Sequence, residues 1–488
     1  MRSTEGRFGR FLPKTPVGHT FGKALSFAEG YDAEISAFPN PHSHFPYLCG
    51  QQTPATSMRI LHTADWHIGH RLHDHERYEE HQVFLDWLLD VIETHRVDLL
   101  VVAGDIFDNG YPTHEAQTQY YHFLRGLAQT YCRNTVIVGG NHDYPGTLNA
   151  PRDILALLNI KVIGKAFKEP KNQIIRIQDR QLKPQALVCA VPYLRDKDIR
   201  DAVAGETYEQ IEDRVREGIL KHYHVISTET APFKAELPDV PVIATGHLFA
   251  QGGQPSDPEN IRECSEKPIH IGTLGNICAA DFPTVFDYVA LGHLHRPQRV
   301  NQQEHIRYSG SPLPLSFSEF KDEKSVFLLD FDGGKLAGVT PVPVPCARRL
   351  VRFRGSFEKI AQDLAAFDDS RDPMRVWAEV KVELTQYEPN LVQRVQELVK
   401  DRNIAVLKHQ AVYDRTRLTL DEQIGLGQAL HELSPEEIFR KKCESEKVSD
   451  EDYPKMLTAF HELLEAMEEP KEEEKEVKSE RNTLSVGE

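Results

Sequence analysis

Short apolar runs recur along the chain, and each leads into glycine or a residue able to bind metal. A strand beginning at Met58 leads to Asp65. Leu99–Ala103 runs into Gly104-Asp105, Thr135–Val138 into Gly139-Gly140-Asn141, Val242–Ala244 into Thr245-Gly246-His247, and Tyr288–Leu291 into Gly292-His293. Runs of this length and β-branched content read as buried strands. Between them the apolar spacing changes to a helical one. Tyr78–His95 places Phe84, Leu85, Leu88, Leu89 and Ile92 on one face, and His114–Thr130 does the same with Tyr120, Tyr121, Phe123, Leu124 and Leu127. Strands alternating with amphipathic helices predict a layered α/β sandwich flanked by helices. Polar residues carried at the carboxyl ends of its strands would line one edge.

The pattern divides the rest of the chain. Residues 1–57 show no sustained periodicity, and are expected to be a disordered extension or the product of a misassigned start. The main α/β domain should span 58–345. Within it, about 197–240 reads as an insertion with a charged amphipathic helix near Tyr208–Tyr223. Residues 346–430 should form a small α/β domain. Its strands are Leu350–Phe353, Val376–Leu384 and Ile404–Leu407, and its helices run near Ile360–Phe367 and from Leu391 to Val399. Over 431–467, Ser434 as N-cap, Pro435 at the first helical position and Glu437 make a strong helix start. A second helix there carries Met456, Leu457, Phe460, Leu463, Leu464 and Met467. Two short amphipathic helices with little core of their own read as a docking hairpin. Residues 468–488 are charge-rich and read as a disordered tail.

Composition narrows the class. The 488 residues exceed one ordinary core, and no stretch has the pattern of a membrane span or a secretory signal. Seven scattered cysteines without a CxxC pair point to a reducing compartment rather than to a disulfide framework. The formal net charge is −17, and from Pro435 onward there are 17 acidic and 9 basic residues. The remainder is still acidic, so no basic stripe announces a nucleic-acid binder.

The polar ends of the strands carry the chemistry. They are Asp65-Trp66-His67, Gly104-Asp105-Ile106-Phe107-Asp108, Gly140-Asn141-His142-Asp143, Gly246-His247 and Gly292-His293-Leu294-His295. Carboxylates, imidazoles and one amide oxygen suit a pair of hard-to-borderline divalent cations, and Asp105 is the natural bridging carboxylate. Two such cations can grip a phosphoester from both sides and acidify a water. The set suits Mn²⁺, Mg²⁺ or Fe²⁺ better than a structural zinc site.

DxH, GDxxD, GNHD, GH and GHxH in this order resemble the signature of the calcineurin-like metallophosphoesterases. The flanks around Met58–Gly69, Ala103–Gly110, Leu148–Leu155 and Tyr308–Phe317 resemble the SbcD family, the nuclease subunits of bacterial SbcCD DNA-repair complexes, from about Met58 to about Met467. The resemblance implies one metal held by Asp65, His67, Asp105 and His295, and a second held by Asp105, Asn141, His247 and His293. It implies that His142 contacts the scissile phosphate and helps the leaving 3′ oxygen acquire a proton, with Asp143 orienting that imidazole. It further implies a capping role for the small domain and double-strand exonuclease and single-strand endonuclease activity on DNA. The expected partner is a separate SbcC-like coiled-coil ATPase. The nuclease chain should be a homodimer within a heterotetramer, in the cytoplasm. The alternative is a stand-alone binuclear phosphodiesterase or phosphatase. Protein phosphatases usually carry GDxVDRG and GNHE, where this chain has Asp108-Asn109-Gly110 and Asp143. A catalytically inert scaffold would not need the full ligand set.

Overall fold

The computed structural model describes residues 57–413 except 180, 202, 204, 255–276, 385–387 and 389, together with Phe439, Cys443, Tyr453, Met456, Leu457 and Phe460. The expected N-terminal extension, the acidic tail and most of the 431–467 hairpin lie outside the described residues.

Two six-stranded sheets face each other. The first has the order Lys335–Pro343, Ser325–Asp332, Ser57–Thr63, Leu99–Ala103, Asn134–Val138, Ile160–Ile163. The second has the order Gln298–Arg299, Ile306–Tyr308, Tyr288–Gly292, Val242–His247, Pro184–Cys189, Ile174–Gln178. In the first, Ser57–Thr63 runs parallel to Leu99–Ala103, which runs parallel to Asn134–Val138. In the second, Val242–His247 and Tyr288–Gly292 are parallel neighbours, with Gly292 opposite His247. The carboxyl ends of these five strands carry the five motifs.

The strands are apolar on both faces because both are covered. Ile60, Leu99, Val101, Val136 and Val138 of the first sheet pack on Ile177, Val188, Ile243, Tyr288 and Ala290 of the second. Leu61, Leu100, Val102 and Ile137 point the other way, onto Phe84, Leu85, Leu88 and Ile92 of the helix Tyr78–Thr94 and Tyr120, Phe123 and Leu127 of the helix His114–Leu127. Thr113 caps the second of these by accepting from the Ala116 backbone N–H.

The outer face of the second sheet is covered by one helix, Tyr208–Glu236. Its start is set by a capping box between Thr207 and Gln210. It runs well beyond the expected end at Tyr223. Val215, Ile219, Tyr223 and Ile226 keep the helical spacing and are buried, and Phe233 extends the stripe. The segment after Tyr223 is rich in Ser and Thr and contains Pro232, which hid the continuing apolar face. The Thr228 and Thr230 hydroxyls donate to the His224 and Ile226 carbonyls inside the helix instead of breaking it.

Residues 350–413 form a three-stranded parallel sheet, Leu350–Gly355, Val376–Leu384 and Ile404–Tyr413, with the helices Phe357–Ala366 and Leu391–Val399. Ile360, Leu364, Val376, Val380, Val395 and Ile404 give it its own core. Leu72 and Phe317 join it to the sandwich by packing on Leu350 and Trp377. The Arg348 guanidinium lies over the Trp377 ring, 4.3 Å from its centre, and 2.7 Å from Glu80 Oε1. Near the C-terminus the Phe439 and Phe460 rings stack at 4.2 Å. No helix among the described residues is long and apolar enough to cross a membrane.

Candidate metal centre

The loops that leave the strands are stitched together by their backbones. Asp65 N donates to Gly104 O, His67 N to Asp105 O and Ile68 N to Ile106 O, all at 2.9–3.0 Å. Asp65, His67 and Asp105 have φ of 53°, 47° and 49°, and His293 has φ of 104°. Non-glycine residues avoid that half of backbone space, at a cost on the order of 1–3 kcal/mol each, and such outliers gather at functional sites. Two glycines make the close packing possible. A side chain at Gly104 would overlap the His247 imidazole, and one at Gly140 would overlap the Asp105 carboxylate.

The seven expected ligands converge. One ligand atom from each of Asp65, His67 and Asp105 lies within 4.8 Å of the others. Asp105 Oδ2 stands 3.6 Å from His67 Nε2 and 3.2 Å from His247 Nε2. His247 Nε2 is also 2.9 Å from Asn141 Oδ1. The His293 ring is 5.5 Å from that of His247, and the His295 ring is 5.2 Å from that of His67. Asp65, His67, Asp105, His247, His293 and His295 are buried, whereas Asn141 and His142 are partly exposed at the mouth.

The donors fit divalent cations by a simple test. Asp65 Oδ2, His67 Nε2 and His293 Nε2 are buried and have no hydrogen-bond partner among the described residues. Orphaned buried acceptors are rare because each costs about 1–3 kcal/mol. Oxygen and imidazole donors without thiolate match Mn²⁺, Mg²⁺ or Fe²⁺.

Comparisons with known proteins identify the family of the chain. The family model Calcineurin-like phosphoesterase matches residues 58–297, and the model Type 5 capsule protein repressor C-terminal domain matches residues 346–447. The chain is 36% identical over 404 residues to SbcD, the nuclease subunit of SbcCD, from Escherichia coli (strain K12), covering 83% of this chain and 97% of that one. It belongs to the SbcD family. The SbcD proteins of Rhodobacter capsulatus and Bacillus subtilis are 35% and 30% identical, over 66% and 75% of this chain and 78% and 94% of theirs. As a member, the chain is a metal-dependent nuclease subunit and a hydrolase of the calcineurin-like phosphoesterase fold.

In this SbcD-family centre the charges are tightly linked. Burial raises Asp65 to about 7, against the pull of His247 and His295. Burial works against Asp105 too, but His247, His67 and His142 together hold its carboxyl well below the usual range. His247 loses charge stability to burial, yet Asp105 and Asp65 lift it to about 9. Burial lowers His67 and His293, which keeps their imidazoles neutral and able to ligate.

Asp143 does not orient His142, contrary to the sequence expectation. Its buried carboxylate accepts the backbone N–H groups of Ile106 and Phe107 at 3.1 Å and of Gly140 at 2.9 Å. It ties the Asp105 loop to the Asn141 loop. The His142 imidazole is held instead by the Asp108 carbonyl oxygen, 2.7 Å from Nδ1.

Three supporting residues were not singled out from the sequence. Asp108 Oδ1 lies 3.3 Å from His67 Nδ1; burial opposes its charge, but His67 keeps it low, at about 2. Glu319 Oε1 lies 3.4 Å from His295 Nδ1, and Glu319 Oε2 accepts from Lys324 Nζ at 2.6 Å. Lys324 also donates to the His295 carbonyl. Asp108 could have been found, because it closes the Gly-Asp-x-x-Asp motif. Glu319 and Lys324 sit in an unremarkable polar stretch with no motif.

Proposed function

We propose that this chain is the DNA-cleaving component of an SbcCD-like complex, acting with a separate SbcC-like coiled-coil ATPase. The single observation that carries the reading is the convergence of Asp65, His67, Asp105, Asn141, His247 and His293 around buried ligand atoms without hydrogen-bond partners among the described residues, in a chain aligned with nearly the full length of an SbcD protein. We assign one cation to Asp65, His67, Asp105 and His295, and another to Asp105, Asn141, His247 and His293. We take the metal to be Mn²⁺, one of the ions that suit this mix of oxygen and imidazole donors. Bound divalent cations would polarise the phosphoryl oxygens and acidify a water.

The chain's own residues supply the rest. His142 Nδ1 carries its proton towards Asp108 O, because a carbonyl can only accept. Nε2 is then left to face the phosphodiester and to deliver a proton to the leaving 3′ oxygen when the ring is charged. Asp108 and Glu319 hold His67 and His295 in register, as carboxylates do behind ligating imidazoles. Asp143 fixes the two loops that carry Asp105 and Asn141.

In this reading the 346–430 domain caps the site and the C-terminal hairpin docks on the ATPase. Two such nuclease chains pair in a heterotetramer, in the cytoplasm where the chromosome lies. The match of the repressor C-terminal domain model to residues 346–447 favours this over a stand-alone phosphodiesterase. The test is cleavage of end-labelled single-stranded and duplex DNA by the purified chain with Mn²⁺, with and without the ATPase. Manganese-dependent cleavage, abolished by chelation and extended to duplex ends by the ATPase with ATP, is expected. Hydrolysis of mononucleotide phosphoesters with no action on DNA would contradict it.

A further inference from the structure

The chain as a whole is strongly acidic, yet one cleft at Tyr144, two residues after His142, is not. It measures about 450 Å³ and is lined by Tyr144, Arg152, Lys165, Arg195, Lys197 and Asp198, among others. Four cationic side chains thus face one carboxylate there. Arg195 Nη2 donates to the Asp143 carbonyl at 3.0 Å, which joins the cleft to the loop that carries His142. Arg152 is drawn aside by Asp153, at 3.3 Å in an exposed pair. Lys165 and Lys197 make no ion pair among the described residues.

At the rim stand two exposed tyrosines. Tyr111 is 83% exposed and Tyr144 is 51% exposed. Their rings stack at 5.8 Å with an interplanar angle of 22°. Neither position is incidental to the site. Tyr111 lies three residues after Asp108, whose carbonyl holds His142, and Tyr144 is two residues after His142. The loops that bear them are built to hold them there. Tyr111 N donates to Asn109 Oδ1, and Thr147 Oγ1 donates to the Gly110 carbonyl across the two loops. A side chain at Gly146 would collide with the Tyr144 ring, so glycine leaves the ring its place. Two large aromatic faces kept in solvent beside a cationic cleft are the combination that grips unpaired nucleotides: rings stack on bases while cations follow the phosphates.

We propose that Tyr111 and Tyr144 form a base-stacking platform for the single strand at the catalytic centre, and that the cleft of Arg152, Lys165, Arg195 and Lys197 takes the phosphates next to the scissile one. The inference rests on the nuclease reading and adds where the strand runs. The platform needs an unpaired base, so the site takes single-stranded DNA or a frayed duplex end.

The test uses the full chain and a single-stranded oligonucleotide bearing 2-aminopurine at successive positions. Stacking quenches that base's fluorescence, and quenching needs no cleavage. In the wild type one or two positions near the scissile bond should be quenched. The Tyr111→Ala/Tyr144→Ala variant should lose the quenching and bind roughly tenfold or more weakly, as loss of a stacked base does. Tyr111→Phe/Tyr144→Phe should restore both. Lys165→Glu/Lys197→Glu should reduce the slope of log affinity against log salt by about 1.4, since each of the two lost phosphate contacts contributes roughly 0.7 on a single strand. Unchanged quenching and affinity in the alanine variant would overturn the proposal even if DNA is cleaved. Quenching at the platform by a chain that never cleaves DNA would sustain it and count against the nuclease reading alone.

Discussion

The carbonyl oxygen of Asp108 lies 2.7 Å from Nδ1 of His142. One contact therefore sets both the direction of the imidazole and which nitrogen carries its proton. It comes from the backbone, so no substitution of the Asp108 side chain removes it. His142 is thus held by the same loop that supplies Asp105.

His142→Ala should remove the proton donor and leave the metal ligands in place. DNA cleavage should fall by roughly 10²–10⁴-fold, with two metal equivalents per chain still found by elemental analysis. Loss of a metal equivalent would make His142 a ligand instead.

Glu319→Ala should destabilise the fold as well as the site. It leaves the Lys324 ammonium buried without its carboxylate, which lies 2.6 Å away in the intact chain. Breaking a buried pair from one side costs about 3–5 kcal/mol. Denaturant unfolding would read this loss. Metal affinity should also drop about 10–100-fold, because His295 loses the carboxylate behind it.

Gly140→Ala tests the close packing of the two loops. The added methyl would overlap the Asp105 carboxylate. Overpacking of this kind costs about 1–3 kcal/mol, and here the strain falls on Asp105, the ligand proposed to bridge the two metals. Calorimetric metal titration should show weakened binding, with the sheets intact by circular dichroism.

Much of this was legible before the structure. Leu99–Ala103 and Tyr288–Gly292 are covered on both faces, so their apolar runs were uninterrupted and their polar ends stood out. The alternation in Val376–Leu384 was equally clear. The pairing of Ser57–Thr63 with Ser325–Asp332 was not, because a ladder between distant segments leaves no local signal. The second half of Tyr208–Glu236 was hidden by polar residues that bond back into their own helix. Glu319 was hidden because a lone carboxylate acquires meaning only when folding brings it beside His295. Asp143 misled for a related reason. Its neighbour in sequence is His142, but its carboxylate turns to the backbone of another loop.

Acid should destabilise the chain through buried neutral histidines. Burial lowers His62 from 6.5 to about 3 and His222 from 6.5 to about 4. Below 6.5 the unfolded chain takes up protons that the folded one refuses, so stability is full above that pH and falls as pH drops towards the folded values. At pH 5 each group should cost about 2 kcal/mol. Melting in chelator across pH 4–8 should show this acid limb, and His62→Gln should flatten it. An unchanged limb in that variant would remove His62 from the account.

The central claim is that one carboxylate, Asp105, joins two metal positions. Its direct test is a crystal of the chain equilibrated with Mn²⁺, with anomalous scattering recorded at the manganese edge. Two peaks about 3.5–4 Å apart are predicted, one among Asp65, His67, Asp105 and His295, the other among Asp105, Asn141, His247 and His293. A single peak, or two peaks that do not share Asp105, would contradict it.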